Sequence, residues 1–225
     1  MNGGQDLGGR QGFGPISPEP EEQEQQFHES WEQRIFALTL ATGMLGQWNI
    51  DRSRFARENQ PPAEYLQNSY YQNWYVGLKA LLQDEGLLTA RELESGEPSL
   101  TEDFLRRREA LRIPDAEKAR ALLFQGGPVD RPETRKASFH PGDRVQVKRQ
   151  FTAGHTRIPG YAAGAQGTID AYQGNHLFPD ANAKGNPEAH HLYSVRFDSD
   201  ALWGKEREGF EVCIDLWEPY LEMAQ

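Results

Sequence analysis

The sequence predicts an α+β protein in which a helical N-terminal part is followed by a small β-barrel. In the first half, apolar residues recur at three- and four-residue steps, most clearly over residues 71–82, which is the period of an amphipathic helix. After Phe139 the pattern changes to polar–apolar alternation, as in residues 144–148 (RVQVK), which is typical of half-buried strands. Residues 128–137 lie between the two patterns, are rich in proline and charge, and are predicted to be a linker.

Residues 1–29 form a predicted extended arm ahead of the helices. The arm contains six glycines, three prolines and an acidic cluster between residues 19 and 24. Such a composition disfavours helix and leaves little apolar surface to bury. Two interpretations are open at this point: a disordered arm, or an arm that orders against a partner through Phe13, Ile16 and Phe27.

The helical domain is predicted to span residues 30–127. Ser30 and Thr89 each stand three residues before Gln or Glu, which is the spacing of a capping box. Asp51 is a candidate cap for a second helix, and a third is expected to begin near Pro62 and to stop before Gly86. Apolar stripes on these helices predict a packed core between them; the stripe of the first helix is Trp31, Ile35, Leu38 and Leu45.

The barrel domain is predicted to span residues 138–225. Alternating segments occur at residues 144–148, 167–172, 192–197 and 210–217, with long loops between them. Four or five short strands in under ninety residues indicate a small, partly open barrel. Cys213 falls inside the last segment, where we expect its thiol to be inert packing.

Composition excludes several classes of function. The formal net charge of −10 disfavours nucleic acid, whose phosphates require a basic footprint. Cys213 is the only cysteine, and the six histidines have no closed zinc spacing, so neither a disulfide nor a metal site is expected in this chain. The sequence has no signal core and no apolar stretch of membrane-spanning length, which predicts a cytoplasmic protein.

Aromatic residues make up 11% of the chain although hydrophobic residues make up only 37%. Aromatic side chains are enriched at interfaces, so this balance suits a subunit that completes its burial against a partner.

Two arginines stand out because both occur in structured contexts without local catalytic partners. Arg157 is the centre of residues 154–159 (GHTRIP), a turn after the first strand, and Arg54 lies on a short helix. A guanidinium stays charged and offers a rigid fork to anionic oxygens, so the pair could clamp one anion. From the spacing alone, an ordinary salt bridge from Arg54 to Glu58 at helical spacing is favoured over such a clamp.

Short motifs in a fixed order give the chain a resemblance to a known family over essentially its whole length. They are MNG at the start, GFGP at 12–15, DRSRF at 51–55, YYQNW at 70–74, GHTR at 154–157, FPD at 178–180, LYSVRF at 192–197, LWG at 202–204 and DLWEPYL at 215–221. On these motifs the chain resembles the β subunit of nitrile hydratase.

That resemblance implies a helical domain joined to a Src-homology-3-like barrel, an N-terminal arm that wraps the partner, and a tight αβ heterodimer, usually paired as α2β2. It also implies hydration of nitriles to amides at a low-spin Fe(III) or non-corrin Co(III) ion. The partner α subunit holds that ion in a claw of cysteines, two of them oxidised to species with anionic oxygens.

The resemblance further implies roles for individual residues. By motif position, Arg54 and Arg157 hydrogen-bond the oxidised cysteines, and Ile50, Tyr70 and Trp74 line the substrate pocket. The chain departs from the family pattern at Asn73, where histidine is frequent, and at Ser53, where an aromatic residue sometimes stands.

Two other identities compete with this one. Thiocyanate hydrolase resembles the same family, but its corresponding regions look split between two polypeptides, whereas both halves are fused here. A non-catalytic metallochaperone-like module would be shorter and would lack the barrel motifs around Trp203 and Trp217.

Overall fold

The computed structural model describes residues 3–15, 17–99, 101–204 and 209–224. Ile16, one of the three apolar residues noted in the arm, lies outside the described residues. The described residues fall into two compact units. We call residues 15–127 the helical unit, and residues 1–14 with 128–225 the sheet unit.

The helical unit contains seven helices among its described residues. They are α1 (Ser30–Gly43), α2 (Ile50–Glu58), α3 (Pro62–Gln67), α4 (Tyr70–Asp84), α5 (Ala90–Ser95), α6 (Glu102–Ala110) and α7 (Ala116–Gln125). The helix expected from Pro62 onward is therefore two helices. The chain breaks after Gln67 because Ser69 begins a new capping box with Gln72.

The helix starts correct two predicted caps and confirm a third. Glu29, not Ser30, is the N-cap of α1, and the Glu32 carboxylate accepts its backbone N–H at 3.2 Å. Asn49, not Asp51, caps α2, because its side chain accepts the Arg52 N–H at 2.9 Å. The capping box at Thr89 is confirmed.

Gly86 adopts φ +65° just beyond the end of α4. That left-handed conformation favours glycine and is a common stop for helices, so Gly86 ends the helix as predicted.

Helices α2 and α4 cross at very close range. A Cβ atom at Gly77 would lie 2.6 Å from Arg57 Cγ and 3.0 Å from the Arg57 backbone nitrogen. Only glycine allows this approach. The short distance between the helices brings the side chains of α2 next to those of α4. Leu78 and Leu81 of α4 are buried in the unit.

The expected apolar stripe of α1 is only partly buried. Trp31 and Leu38 are exposed, although they belong to the predicted stripe. Phe27, which precedes α1, instead packs its ring 5.7 Å from Phe36 and 5.2 Å from Tyr71. This part of the arm therefore contacts the helices of its own unit.

The sheet unit is built on one antiparallel sheet. Its strands are β1 (Arg144–Val147), β2 (Gln166–Leu177), β3 (Ala189–Asp198), β4 (Glu211–Trp217) and β5 (Leu221–Met223), in the spatial order β4-β3-β2-β1-β5. Within the described strands, the two edge strands β4 and β5 do not pair with each other, so the sheet is open. Alternate residues form its core, among them Val145, Ile169, Val195, Phe197 and Leu216.

Short elements fill the connections between strands. They are the helices α8 (Pro179–Asn182) and α9 (Ser199–Trp203) and the 3₁₀ turns Gly160–Ala162 and Glu218–Tyr220. Two segments outside the strands also dock on this unit. The Asp6 carboxylate accepts the Gly160 N–H at 2.9 Å, and the Arg131 N–H donates to the Asn175 carbonyl at 2.7 Å.

Cys213 is exposed on β4, so the expectation of a packed thiol was wrong. The residue lies on an edge strand, and alternation turns its side chain away from the core. Of the helices that the structure describes, none is long and apolar enough to cross a membrane.

Candidate functional site

Helix α2 presents Arg54 at the surface of the helical unit. The Arg54 Nη1 donates to Asp51 Oδ1 at 3.1 Å, with the Arg54 side chain 44% exposed and that of Asp51 only 6%. Arg54 therefore forms its ion pair with Asp51, one turn earlier in the same helix. A pair at this spacing with one exposed member contributes about 0.3–0.5 kcal/mol. It orients the guanidinium without burying it.

A cleft of about 120 Å³ brings together three of the five predicted site residues. Arg54, Tyr70 and Trp74 line it, together with Arg57, Glu58, Tyr65 and Asn73. The close crossing of α2 and α4 at Gly77 sets these side chains side by side. Tyr70 is 67% exposed at the cleft, so it is an accessible aromatic surface and not part of the core.

Ile50 lies in a second, larger cavity of about 430 Å³. Trp74 and Arg57 line this cavity as well as the cleft. The indole is thus shared between the two spaces, and Ile50 is connected through it to the other predicted residues of the helical unit. The larger cavity is mostly apolar, with Leu40, Met44, Trp48, Leu122 and Leu123 among its lining residues.

Arg57 is a residue of the site that the sequence reasoning missed. Its guanidinium carbon lies 4.3 Å from the Trp74 ring centroid, and its Nε donates to the Ser53 carbonyl at 3.2 Å. Burial lowers the pKa of this guanidinium, and the nearby charge of Arg54 acts in the same direction. The available signal was the three-residue spacing from Arg54, which places both arginines on one face of α2.

Asn73 ties three chain segments together at the cleft. Its Oδ1 accepts from Gln60 Nε2 at 3.2 Å and from Asn68 Nδ2 at 3.1 Å, while its Nδ2 donates to the Tyr65 carbonyl at 3.1 Å. A primary amide both donates and accepts, so Asn73 satisfies all three neighbours at once. The position therefore has a structural role in this chain.

Arg157 belongs to the sheet unit and lies in the irregular loop between β1 and the turn at Gly160, as the sequence predicted. Its side chain is exposed, and its backbone N–H donates to the Tyr220 hydroxyl at 3.2 Å. The adjacent His155 is buried at 1% exposure. The loop is thus anchored in the core by its neighbours while Arg157 points outward.

Metal-binding groups were sought across the described ranges. No group of three or more His, Cys, Asp or Glu side chains that could hold an ion occurs in that part of the chain. The residues present therefore do not fit the ion that the family resemblance implies.

Comparisons with known proteins cover the chain from end to end. The family model for the N-terminal part of the nitrile hydratase β subunit matches residues 1–125, and the model for its C-terminal part matches residues 128–223. Together these ranges include the candidate residues of both units.

Curated relatives match over nearly their full lengths. The β subunit of a low-molecular-weight cobalt-containing nitrile hydratase from Rhodococcus rhodochrous is 35% identical over 98% of this chain and 99% of its own. A nitrile hydratase β subunit from Pseudomonas putida is 34% identical over 100% of both chains. That of a cobalt-containing enzyme from Pseudonocardia thermophila is 33% identical over 100% of this chain and 97% of its own.

One solved structure, the recombinant apo-enzyme of thiocyanate hydrolase from Thiobacillus thioparus, is 32% identical and covers 40% of this chain and 78% of its own. Its TM-score of 0.36 is too low to bear on fold or function. The two family models and the full-length relatives agree with each other and with the motif order. The chain belongs to the nitrile hydratase β subunit family.

Proposed function

We propose that this chain is the β subunit of a nitrile hydratase, which hydrates nitriles to amides only in complex with a metal-bearing α subunit. The observation that carries the proposal is the match of both family models across residues 1–125 and 128–223. We further propose an α2β2 assembly, with the N-terminal arm wrapping the partner and the five strands curved as in a Src-homology-3-like barrel.

The ion would belong to the partner. Two full-length relatives carry cobalt in their names, which supports Co(III), and Fe(III) is the family's other metal. When bound, such an ion supplies Lewis-acid activation for hydration. The described residues of this chain offer no cluster for it, so their contribution would be positioning, electrostatics and the shape of the pocket.

Arg54 and Arg157 would supply the electrostatics. Each would donate hydrogen bonds to anionic oxygens on oxidised cysteines of the partner. Arginine suits that task because its planar fork can bind two oxygens and stays charged at any working pH. The exposure of both side chains supports the assignment, since each can reach a group on another chain.

Ile50, Tyr70 and Trp74 would shape the substrate pocket. A nitrile is small and weakly polar, so aromatic and aliphatic walls suit it. The shared position of Trp74 between the cleft and the larger cavity supports this role. The exposure of Tyr70 and Ile50 leaves them available to face a space completed by the partner.

Large apolar side chains at the surface of the helical unit support the need for a partner. Leu122, Leu123 and Phe124 are 49%, 55% and 80% exposed on α7. Contiguous exposed apolar surface marks interaction sites in soluble proteins.

The experiment is co-expression with a nitrile hydratase α subunit that carries a Cys-x-x-Cys-Ser-Cys claw. The purified complex is assayed for amide formation from nitriles and, in parallel, for hydrolysis of thiocyanate. We expect amide formation by the complex and none by this chain alone. Turnover of thiocyanate in place of nitriles, or activity and bound metal in this chain alone, would refute the proposal.

A further inference from the structure

The hydroxyl of Tyr220 lies in the core of the sheet unit and contacts the loop that carries Arg157. Tyr220 is fully buried in the 3₁₀ turn between β4 and β5. Its ring packs against Phe178 at 5.3 Å and Trp217 at 6.1 Å, and its carbonyl accepts the Lys148 N–H at 2.8 Å. Both ring and backbone are therefore fixed independently of the hydroxyl.

Three groups use the Tyr220 hydroxyl. It donates to Asp180 Oδ1 and accepts from the Arg157 backbone N–H at 3.2 Å and the Thr156 hydroxyl at 3.4 Å. A phenol has one proton to donate and oxygen lone pairs to accept with. Because the phenol O–H donates its hydrogen bond to the Asp180 carboxylate, the oxygen lone pairs remain available to accept hydrogen bonds from the loop.

The loop has no sheet ladder to hold it at this point. Residues 155–159 form neither helix nor strand. The loop is held further on by the Asp6 carboxylate, which accepts the Gly160 N–H. The Tyr220 hydroxyl instead accepts a hydrogen bond from the Arg157 backbone N–H, so it fixes the backbone from which the Arg157 side chain extends.

We propose that Tyr220 is a positioning residue for Arg157: its buried hydroxyl holds the Arg157 backbone and thereby aims the guanidinium at the partner. This inference rests on the role proposed above for Arg157. A small misplacement of a charged donor lowers turnover severely, by up to about 10²-fold for a shift near 1 Å. Loss of a single oxygen atom at Tyr220 should therefore act on catalysis through Arg157.

The test compares Tyr220→Phe with Tyr193→Phe in the complex with the metal-bearing partner. Tyr193 is a matched control because it is also fully buried in this core and its hydroxyl also donates to a carboxylate, Glu218, at 2.6 Å. We expect Tyr220→Phe to lower kcat roughly 10- to 100-fold with little change in KM. Melting temperature should fall similarly in both variants, metal content should be unchanged, and Tyr193→Phe should keep its activity.

A double variant tests whether Tyr220 acts through Arg157. Arg157→Lys combined with Tyr220→Phe should have the kcat of Arg157→Lys alone, because residues that act as one unit are not additive. If the two losses multiply, Tyr220 acts by another route and the inference is wrong. If Arg157→Lys is inactive while Tyr220→Phe behaves like Tyr193→Phe, the inference fails and the proposed function stands.

Near-native activity of Arg157→Lys would instead refute the role proposed for Arg157 itself. Hydrogen exchange of the Arg157 amide in the wild-type complex keeps the inference testable even where Tyr220→Phe does not assemble. We expect that amide to be protected. Rapid exchange there would show that the anchor does not exist.

Discussion

The guanidinium carbon of Arg57 lies 4.3 Å from the centroid of the Trp74 ring. The same guanidinium reaches both the carbonyl and the hydroxyl of Ser53, at 3.2 and 3.3 Å. One side chain therefore joins α2 to α4 and holds the indole that lines both the cleft and the larger cavity. We expect the shape of the candidate pocket to depend on Arg57 although it is not one of the two proposed anion-binding arginines.

Arg57→Lys should lower the stability of the helical unit by about 1–2 kcal/mol, in the range of a partly desolvated cation–π contact. Lysine cannot stack a planar group on the indole and donate to Ser53 at the same time. The measurement is urea unfolding of the purified complex followed by far-ultraviolet circular dichroism. Lys79→Met is the control, because it removes a cation 4.5 Å from the exposed Tyr75 ring. A larger loss in the control would contradict this account.

Gly77→Ala should destabilise the protein by about 1–3 kcal/mol, the usual cost of overpacking. The new methyl group would lie 2.6 Å from Arg57 Cγ and 3.0 Å from its backbone nitrogen, and backbone cannot move aside cheaply. Gly43→Ala is the matched control: it lies in α1 with nothing within 4 Å of its added Cβ. It should be neutral or gain up to about 1 kcal/mol from helix propensity. Equal midpoints of unfolding for the two variants would disprove the close crossing.

Asn73→Ala should cost about 1–3 kcal/mol, because it leaves the amide donors of Gln60 and Asn68 without their shared acceptor. Gln60 is buried, so water does not readily replace the lost bond. Thermal unfolding of the complex measures the effect. Gln83→Ala, at an exposed position of the same helix, should change the melting temperature little. A melting temperature for Asn73→Ala equal to that of the control would remove the structural role assigned to Asn73.

The sheet unit should lose stability between about pH 10 and pH 12. Burial raises the pKa of Tyr172 to about 12, and its hydrogen bond to the Glu133 carboxylate, at 2.6 Å, acts in the same direction. The unfolded tyrosine ionises near its ordinary value of about 10. Between these pH values the folded protein keeps the Tyr172 proton that the unfolded chain releases. The contribution of Tyr172 to the free energy of unfolding is therefore fully present below about pH 10 and is lost as the pH rises above it.

Unfolding midpoints measured from pH 8 to pH 12 check this prediction. Tyr172→Phe should be less stable at neutral pH but should have a shallower decline above pH 10. An unchanged slope in that variant would assign the alkaline loss to other groups. Burial also raises the pKa of Tyr193 and Tyr220, so some decline should persist.

The sequence located the helices better than it located their ends. The periodic apolar pattern over residues 71–82 predicted α4, but a count of apolar residues does not register the break that separates α3 from α4. Asn49 and Asp51 are both good caps two residues apart. In the structure Asn49 accepts the Arg52 N–H, and Asp51 lies inside the first turn, where it pairs with Arg54.

The strands show the same limit. Strand β2 continues to Leu177 and β3 begins at Ala189, because these residues pair with each other across the sheet. Residues 173–177 do not alternate clearly, so the pairing itself extends the strand.

The candidate site divides in the same way between local and long-range features. The positions of Arg54, Tyr70 and Trp74 followed from motifs, and the cleft brings these three side chains together. Arg57 was missed because its importance comes from stacking on an indole of another helix. Tyr220 was missed because it is 63 residues from Arg157 in the sequence.

The central claim is that this chain serves nitrile hydration by presenting arginine to a partner subunit. Its most direct test is the kcat for amide formation by a fully metallated complex carrying Arg157→Lys. Arg144→Lys, an exposed substitution on β1, is the control. We predict a loss on the order of 10²-fold for Arg157→Lys, comparable to removal of a preorganised donor, with the control near wild type. Near-native turnover by the metallated Arg157→Lys complex would contradict the account.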